Sequence, residues 1–260
     1  MAEILKEAIK RVDKGEIIAL VTVIEAKGST PRETGAKVLV NSNGLVSGTI
    51  GGGALENKVI EEAKKAIKDK KGCTLSYHLS KEEASLDEWA ICGGDIKVFI
   101  DVLQPKEELL IFGAGHIALC VSKLAKTVGF KVTVIDDRQE FANKERFPEA
   151  DEIMIDLLEN VFEKIKILPF SYIVIVTRGH LQDQKVLSHT IKSNAAYIGM
   201  IGSRKKNETV FQHLKEQGIA VQEFKKVHAP IGIDIGAQTP EEIAISIIAE
   251  IIKVKRNKNI

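Results

Sequence analysis

Residues 109–138, LLIFGAGHIALCVSKLAKTVGFKVTVIDDR, decide how the chain is to be read. An apolar run at 109–112 leads straight into Gly113-Ala114-Gly115-His116-Ile117-Ala118. Ile117, Cys120, Val121, Leu124, Ala125 and Val128 then recur at helical spacing until Gly129 stops the pattern. A second apolar run, 131–135, ends at Asp136. Strand, glycine turn, helix and strand in this order give the G-x-G-x-x-A pattern its meaning, because each small residue then has a task. Gly113 permits the tight turn, Gly115 lets backbone approach a phosphate, Ala118 allows close helix packing, and the helix N-terminus favours the anion. Asp136 stands where an acidic residue would meet a ribose hydroxyl. His116, inside the turn, reads as a phosphate contact or proton carrier, or as an exposed loop histidine. Arg138 reads as a phosphate clamp or as a loop charge.

Towards the C-terminus, apolar strands at 153–155, 172–177 and 196–201 alternate with helical stretches, the rhythm of a parallel sheet covered on both faces. Residues 105–260 are therefore expected to form a Rossmann-like α/β domain. Thr177-Arg178-Gly179-His180 follows the strand YIVIVT at the carboxyl edge, where open α/β sheets bind ligands. Arg178 offers a fixed cation and His180 a titratable donor; the alternative is a plain turn. Gly202-Ser203-Arg204 ends the next strand, placing the Ser203 hydroxyl and the Arg204 guanidinium where an anion at a helix start would meet them. His228 opens HAPIGIDIGAQ, 228–238, a loop rich in Gly and Pro that reads as a ligand loop or a tight crossing. Thr239, Pro240 and Glu242 then mark N-cap, first turn and capping box of a last helix, whose buried stripe is Ile243, Ile247, Ile248, Ile251 and Ile252.

In the other direction, Gln104-Pro105 followed by charges punctuates a change of pattern and bounds a smaller mixed α/β domain, 1–104. Its expected elements are a helix at 3–13, a strand at 17–24, a hairpin from 36–40 through Asn43-Gly44 to 45–46, and a helix at 54–69. Strands at 73–79 and 96–103 flank a polar, helix-like stretch that ends at ICGGD, 91–95. Gly28-Ser29-Thr30-Pro31-Arg32 and Gly48-Thr49-Ile50-Gly51-Gly52-Gly53 are loops whose N–H groups can form anion nests. Glu56 follows one turn later, a favourable charge near the positive end of a helix. Cys92, beside two glycines, is a candidate thiolate ligand for sulfur or a metal, or an inert loop cysteine; Cys120 falls on an apolar helix face and reads as core.

Composition narrows the function classes. Among 260 residues, 37 Lys and Arg balance 36 Asp and Glu, so no long-range field draws the chain to nucleic acid or an acidic membrane. The N-terminus lacks the apolar run of a signal peptide, no stretch is long enough to span a bilayer, and three cysteines at irregular spacing make neither a disulfide framework nor a zinc pattern. A cytoplasmic location is expected.

The set GSTPRETGAK, GTIGGGALE, ICGGD, IFGAGHIA, VIDDR, VTRGH, YIGMIGSRKK and HAPIGIDIGAQTPEEIA, in that order, resembles the xanthine dehydrogenase accessory factor family, XdhC/CoxI. The resemblance runs through nearly the whole chain. It implies a cytoplasmic, homodimeric factor that binds molybdenum cofactor (molybdopterin) and supports its sulfuration with a cysteine desulfurase. Such a factor delivers the cofactor to a molybdenum hydroxylase such as xanthine dehydrogenase, acting as a carrier rather than a catalyst. The family's cysteine motif falls on Cys92, its glycine motifs on Gly51, Gly52, Gly53, Gly113 and Gly115, and its later motifs on His180, Arg204 and His228. Which of these touch pterin and which touch nucleotide stays open. Two other classes share the glycine fingerprint: an NAD(P)-dependent oxidoreductase and a nucleotide-sensing regulator. Against the first, no clear substrate-binding base stands in a fixed role beside the fingerprint.

Overall fold

The structure, a computed structural model, describes residues 2–79 and 94–257 and divides into two compact units, Met1–Pro105 and Lys106–Ile260. No helix among the described residues is long and apolar enough to cross a membrane.

In the C-terminal unit, strands β6 (Glu108–Phe112), β7 (Lys131–Asp136), β8 (Glu152–Ile155), β9 (Ser171–Ile175), β10 (Tyr197–Met200) and β11 (Val227–His228) form one sheet in the order β11-β10-β9-β6-β7-β8. Every pairing is parallel. The chain starts in the middle, winds one way to β8, then returns across β6 to wind the other way from β9, so the order reverses between β6 and β9. Phe112 is level with both Ile135 and Ile175, which brings three strand ends to one edge.

The central strands β6, β9 and β10 are largely apolar and buried because both faces of the sheet are covered there. Leu109 and Ile111 of β6 pack with helices α3 (His116–Thr127) and α7 (Pro240–Asn257), whereas Leu110 and Phe112 pack with α4 (Leu158–Lys164), α5 (His180–Thr190) and α6 (Arg204–Glu216). Each such side chain contributes about 1.5–3 kcal/mol when buried. The start of α7 is a capping box: Thr239 Oγ1 accepts from Glu242 N at 3.3 Å, and Glu242 Oε2 accepts from Thr239 N at 3.1 Å. A 3₁₀ helix, Val221–Lys226, leads into β11, which has two residues and no periodicity by which a sequence pattern could announce it.

The N-terminal unit is an antiparallel sheet ordered β3-β2-β1-β5-β4, built from β1 (Ile18–Gly28), β2 (Lys37–Asn41), β3 (Gly44–Gly48), β4 (Cys73–Leu79) and β5 (Gly94–Leu103). Helix α2 (Gly53–Asp69) lays Val59, Ile60, Ala63 and Ile67 on one face, and α1 (Ala2–Asp13) places Ile4 and Ala8 against Ile18 and Leu39. The hairpin turns where its sequence predicts: Asn41 Oδ1 accepts from Asn43 N and Gly44 N, at 2.9 and 3.1 Å. Strand β1 runs four residues beyond its expected end at 24, because β5 pairs with it as far as Gly28↔Gly94. The predicted helix-like stretch, with Cys92 and Gly93, lies outside the described residues.

Candidate functional site

The carboxyl edge of the parallel sheet, at the reversal between β6 and β9, carries the Gly113–His116 turn and the Thr177–His180 turn side by side. Gly113 has φ +114°, and a methyl group there would lie 2.3 Å from the Val176 carbonyl oxygen, so the protein itself demands glycine. At Gly115 the reverse holds. A methyl group there would meet nothing within 4 Å, and Gly115 is the N-cap of α3 with no side chain capping it. The open backbone at a helix N-terminus is the approach an anion needs.

The turn between these glycines is braced from behind. Asp136, 8% exposed, accepts from Ala114 N at 2.8 Å, while Arg146 Nη1 donates to the Ala114 carbonyl at 3.0 Å. Burial alone would raise the Asp136 pKa, but the Arg138 side chain and the N–H groups of Ala114 and Arg138 outweigh it and hold the carboxyl below its usual value. Arg138 reaches Asp136 with Nε at 2.8 Å and Nη2 at 2.9 Å, its own N–H adds a bond at 3.1 Å, and its guanidinium stacks on Phe141 at 4.0 Å. Four bonds fill the roughly four lone-pair positions of a carboxylate. Neither Asp136 as ribose acceptor nor Arg138 as phosphate clamp is therefore a free group; each holds the other.

Two adjoining compartments open at this edge and share Thr177 and Arg178. The larger, about 400 Å³, is lined by Gly113, Asp136, Asp137, Leu157, Leu158 and Gln182 among others. Arg178 Nη2 donates across it to Asp137 Oδ2 at 2.9 Å. The smaller, about 220 Å³, lies between the starts of α5 and α6 and is lined by His180, Asp183, Met200, Gly202, Lys206 and Asn207 among others. His116 is exposed beside the first turn and lines neither compartment. Ser203 caps α6, accepting from Lys206 N at 3.3 Å, and Arg204 is exposed on its first turn; both flank the smaller compartment without lining it.

His228 belongs elsewhere. On the α7 side of the sheet its ring stacks on Tyr197 with centroids 4.6 Å apart, and its Nδ1 sits 3.3 Å from Glu250 Oε1. Glu250 Oε2 also accepts from the Tyr197 hydroxyl at 2.5 Å and from Gly232 N at 3.0 Å. Burial opposes ionisation of Glu250, yet these donors hold its pKa below the usual value. The cluster ties α7 to β10 and to the loop after β11.

In the N-terminal unit three sequence motifs meet at one corner. A methyl group on Gly51 would strike Pro31 Cβ at 2.5 Å, and one on Gly94 would strike the Lys27 and Ser29 carbonyls at 2.5 Å. The turn Thr49–Gly52 wraps a carboxylate as its sequence suggests, but the carboxylate is internal. Glu56 Oε2 accepts from Thr49 Oγ1 at 2.5 Å, Ile50 N at 2.8 Å and Gly52 N at 3.2 Å. Burial would raise its pKa; the Thr49 hydroxyl and the backbone N–H groups reverse that and lower it. Glu56 thus takes the N–H groups of Ile50 and Gly52, and Gly51 N turns to Thr49 Oγ1 at 3.0 Å. Cys92, the candidate metal ligand, lies outside the described residues, and among the described residues no group of His, Cys, Asp and Glu is arranged to hold a metal ion.

Asp183 and Asn207 escape the sequence reading. Asp183 appears as an ordinary acid near a helix start. Its membership of the buried face of α5, with Val186, Leu187 and Thr190, was available in the spacing alone.

A Rossmann unit with its open glycine at the topological reversal, following a smaller antiparallel-sheet unit, is the class these features define. Family models give it a narrower place: the one described as the XdhC Rossmann domain matches residues 109–251, and that of the XdhC and CoxI family matches residues 12–78. The chain belongs to the XdhC family. It is 35% identical over 255 residues to the Escherichia coli K12 protein YqeB, covering 98% of this chain and 46% of YqeB. It is 30% identical over 159 residues to a Bacillus subtilis 168 protein named as a probable xanthine dehydrogenase subunit, covering 61% of this chain and 46% of that protein. The chain thus spans about half the length of these two relatives. The molybdenum cofactor insertion chaperone PaoD of Escherichia coli K12 is 22% identical over 300 residues, with 97% and 88% of the two chains covered. A solved Bacillus halodurans structure described as a xanthine dehydrogenase superposes with a TM-score of 0.55 at 25% identity, covering 97% of this chain and 95% of that one.

Proposed function

We propose that this chain is a maturation factor that holds molybdenum cofactor at the carboxyl edge of its Rossmann unit, supports the cofactor's sulfuration and delivers it to a molybdenum hydroxylase of the xanthine dehydrogenase type. The observation that carries the reading is Gly115: a helix N-terminus at the sheet reversal with no side-chain cap, whose missing side chain leaves room that none of the described residues uses. A pterin cofactor presents a phosphate, a polar bicyclic ring and a dithiolene-bound metal. Gly115 and the N-terminus of α3 suit the phosphate, and the two compartments suit a ring and its substituents. When bound, the cofactor would supply the molybdenum on which sulfuration takes place; the chain's part is to bind, orient and shelter it. Relatives named as an insertion chaperone and as part of a xanthine dehydrogenase support the same assignment. A cysteine desulfurase as sulfur donor, a second copy of the chain, and a cytoplasmic setting belong to this reading.

Use of the edge for NAD(P) redox chemistry is disfavoured by Asp136, whose lone pairs are taken by Arg138 and Ala114, leaving no free acceptor for a ribose diol. The test is to purify the chain from molybdenum-replete cells, release bound material with acid and iodine, and measure pterin fluorescence, alongside hydroxylase sulfuration in a strain lacking the gene. Pterin in stoichiometric amount and loss of sulfuration are expected. A pterin-free protein and unchanged sulfuration would overturn the proposal.

A further inference from the structure

We propose that Asp183 is the anchor of the smaller compartment and accepts hydrogen bonds there from the amino edge of the pterin ring. This rests on the carrier reading above and deepens it. Asp183 is 6% exposed and occupies a position of the α5 core face where an apolar residue would pack. Its Oδ1 is committed to the loop, accepting from Thr177 N at 3.1 Å and Thr177 Oγ1 at 2.6 Å. Among the described residues none donates to Oδ2, on a side chain that lines the 220 Å³ compartment. Oδ2 is open to the compartment and not sealed in the core, an acceptor that a ligand carrying N–H groups can reach.

The rest of the compartment fits a flat, polar ring rather than a phosphate alone. Met200 and Val210 give it apolar walls. Asn207, 3% exposed, adds an amide able to donate and accept. At about 220 Å³ the space falls below the roughly 300–1,000 Å³ of pockets that take drug-sized ligands, so it suits a single ring system and not a whole cofactor. A pterin offers a 2-amino group beside a ring N–H, two donors on one edge, next to a ring carbonyl. The carboxylate matches the donors; Lys206 matches the carbonyl, with the second N–H of Asn207 beside it, the first being given to the Gly202 carbonyl at 3.4 Å.

The protonation behaviour of Asp183 agrees with that geometry. Burial raises its pKa to about 6, against the Thr177 hydrogen bonds and the charges of His180 and Lys206, which favour the ionised form. Arg178, His180 and Lys206 are the cations that face it, from the β9–α5 turn and from α6.

Asp183→Asn isolates the claim. Thr177 N–H must keep an oxygen at the Oδ1 position, so the new amide turns its NH₂ into the compartment and replaces an acceptor by a donor without breaking the loop. The full chain, wild type and Asp183→Asn, is purified from molybdenum-replete cells, and oxidised pterin per mole of protein is measured with the melting temperature of each. The expected result is at least a tenfold loss of pterin from a variant that melts no lower than wild type. A second arm titrates free pterin (2-amino-4-oxopteridine) at pH 7.5 and pH 5. Wild-type affinity falls as Asp183 takes up its proton, while the variant, which keeps Arg178, His180 and Lys206, shows no such fall. Equal pterin content in the two proteins overturns the anchor and leaves the carrier reading standing; a wild-type protein that neither carries nor binds pterin overturns both. Retention of adenosine rather than pterin by wild type, lost in the variant, overturns the pterin assignment.

Discussion

At the start of α2 the Thr49–Gly52 turn closes on Glu56, a carboxylate from its own helix. At the start of α3 the Gly113–Gly115 turn is braced from behind by Asp136 and Arg146, and its front, at Gly115, meets none of the described residues within 4 Å. Both are glycine-rich, both lead into helices, and both present backbone N–H groups suited to an anion. The difference is whether the chain brings its own anion. Glycine content marks a place where backbone approaches something closely, and the rest of the fold says whether that something is internal or arrives as ligand.

The sharpest way to break this comparison is Gly113→Ala. The methyl would collide with the Val176 carbonyl at a backbone angle that side chains rarely adopt, so a loss of about 4 kcal/mol in urea unfolding is expected. A variant as stable as wild type would show that the turn is not sterically specified. Next comes Asp183→Asn, with the opposite sign. A folded-state pKa of about 6 against an ordinary 3.8 means that ionised Asp183 costs stability, fully above pH 6 and progressively less down to pH 4. The variant should be more stable by about 3 kcal/mol at pH 7.5, a gap that closes by pH 4 in thermal melts. Destabilisation at neutral pH would mean that the Asp183 charge holds the loop together.

Glu56→Ala should cost about 2 kcal/mol, since the Ile50 and Gly52 N–H groups and the Thr49 hydroxyl lose their acceptor. Because the Glu56 pKa is lowered, its contribution is present above the ordinary carboxylate value and is lost as pH falls through the folded-state pKa. Added sulfate should restore part of the lost stability in the variant and little in wild type; no differential rescue would show that the turn is not an anion nest. The smallest change in stability is expected at Gly115→Ala, under about 1 kcal/mol, because the methyl meets open space. There the effect belongs to the ligand, with bound pterin falling at least tenfold, and an undiminished pterin content would remove Gly115 from the binding edge.

Much of the C-terminal unit could be read in advance, since β6, β7 and β9 are apolar runs and Gly113, Gly115 and Asp136 stand at fixed offsets from them. The capping box of α7 was equally plain, because its partners are three residues apart. What escaped was non-local or too short for a pattern. Strand β11 has two residues and exists only by pairing with β10. His228 looks like a loop histidine until Glu250 and Tyr197, far away in sequence, close around it. Glu56 lies one turn from its nest, yet periodicity shows only a favourable charge near a helix start.

Apolar spacing and turn chemistry act over a few residues, so a linear pattern was enough to establish a parallel sheet with a glycine turn and a helix behind its first strand. The fate of each polar group was settled by folding. Arg138 and Ala114 filled the lone pairs of Asp136, Glu56 took the donors of Thr49, Ile50 and Gly52, and Gly115 and Asp183 Oδ2 were left open to the sheet edge and to the smaller compartment. Hydrogen-bond capacity is finite, and the side chains that use it up are chosen by the whole three-dimensional arrangement rather than by their neighbours in sequence.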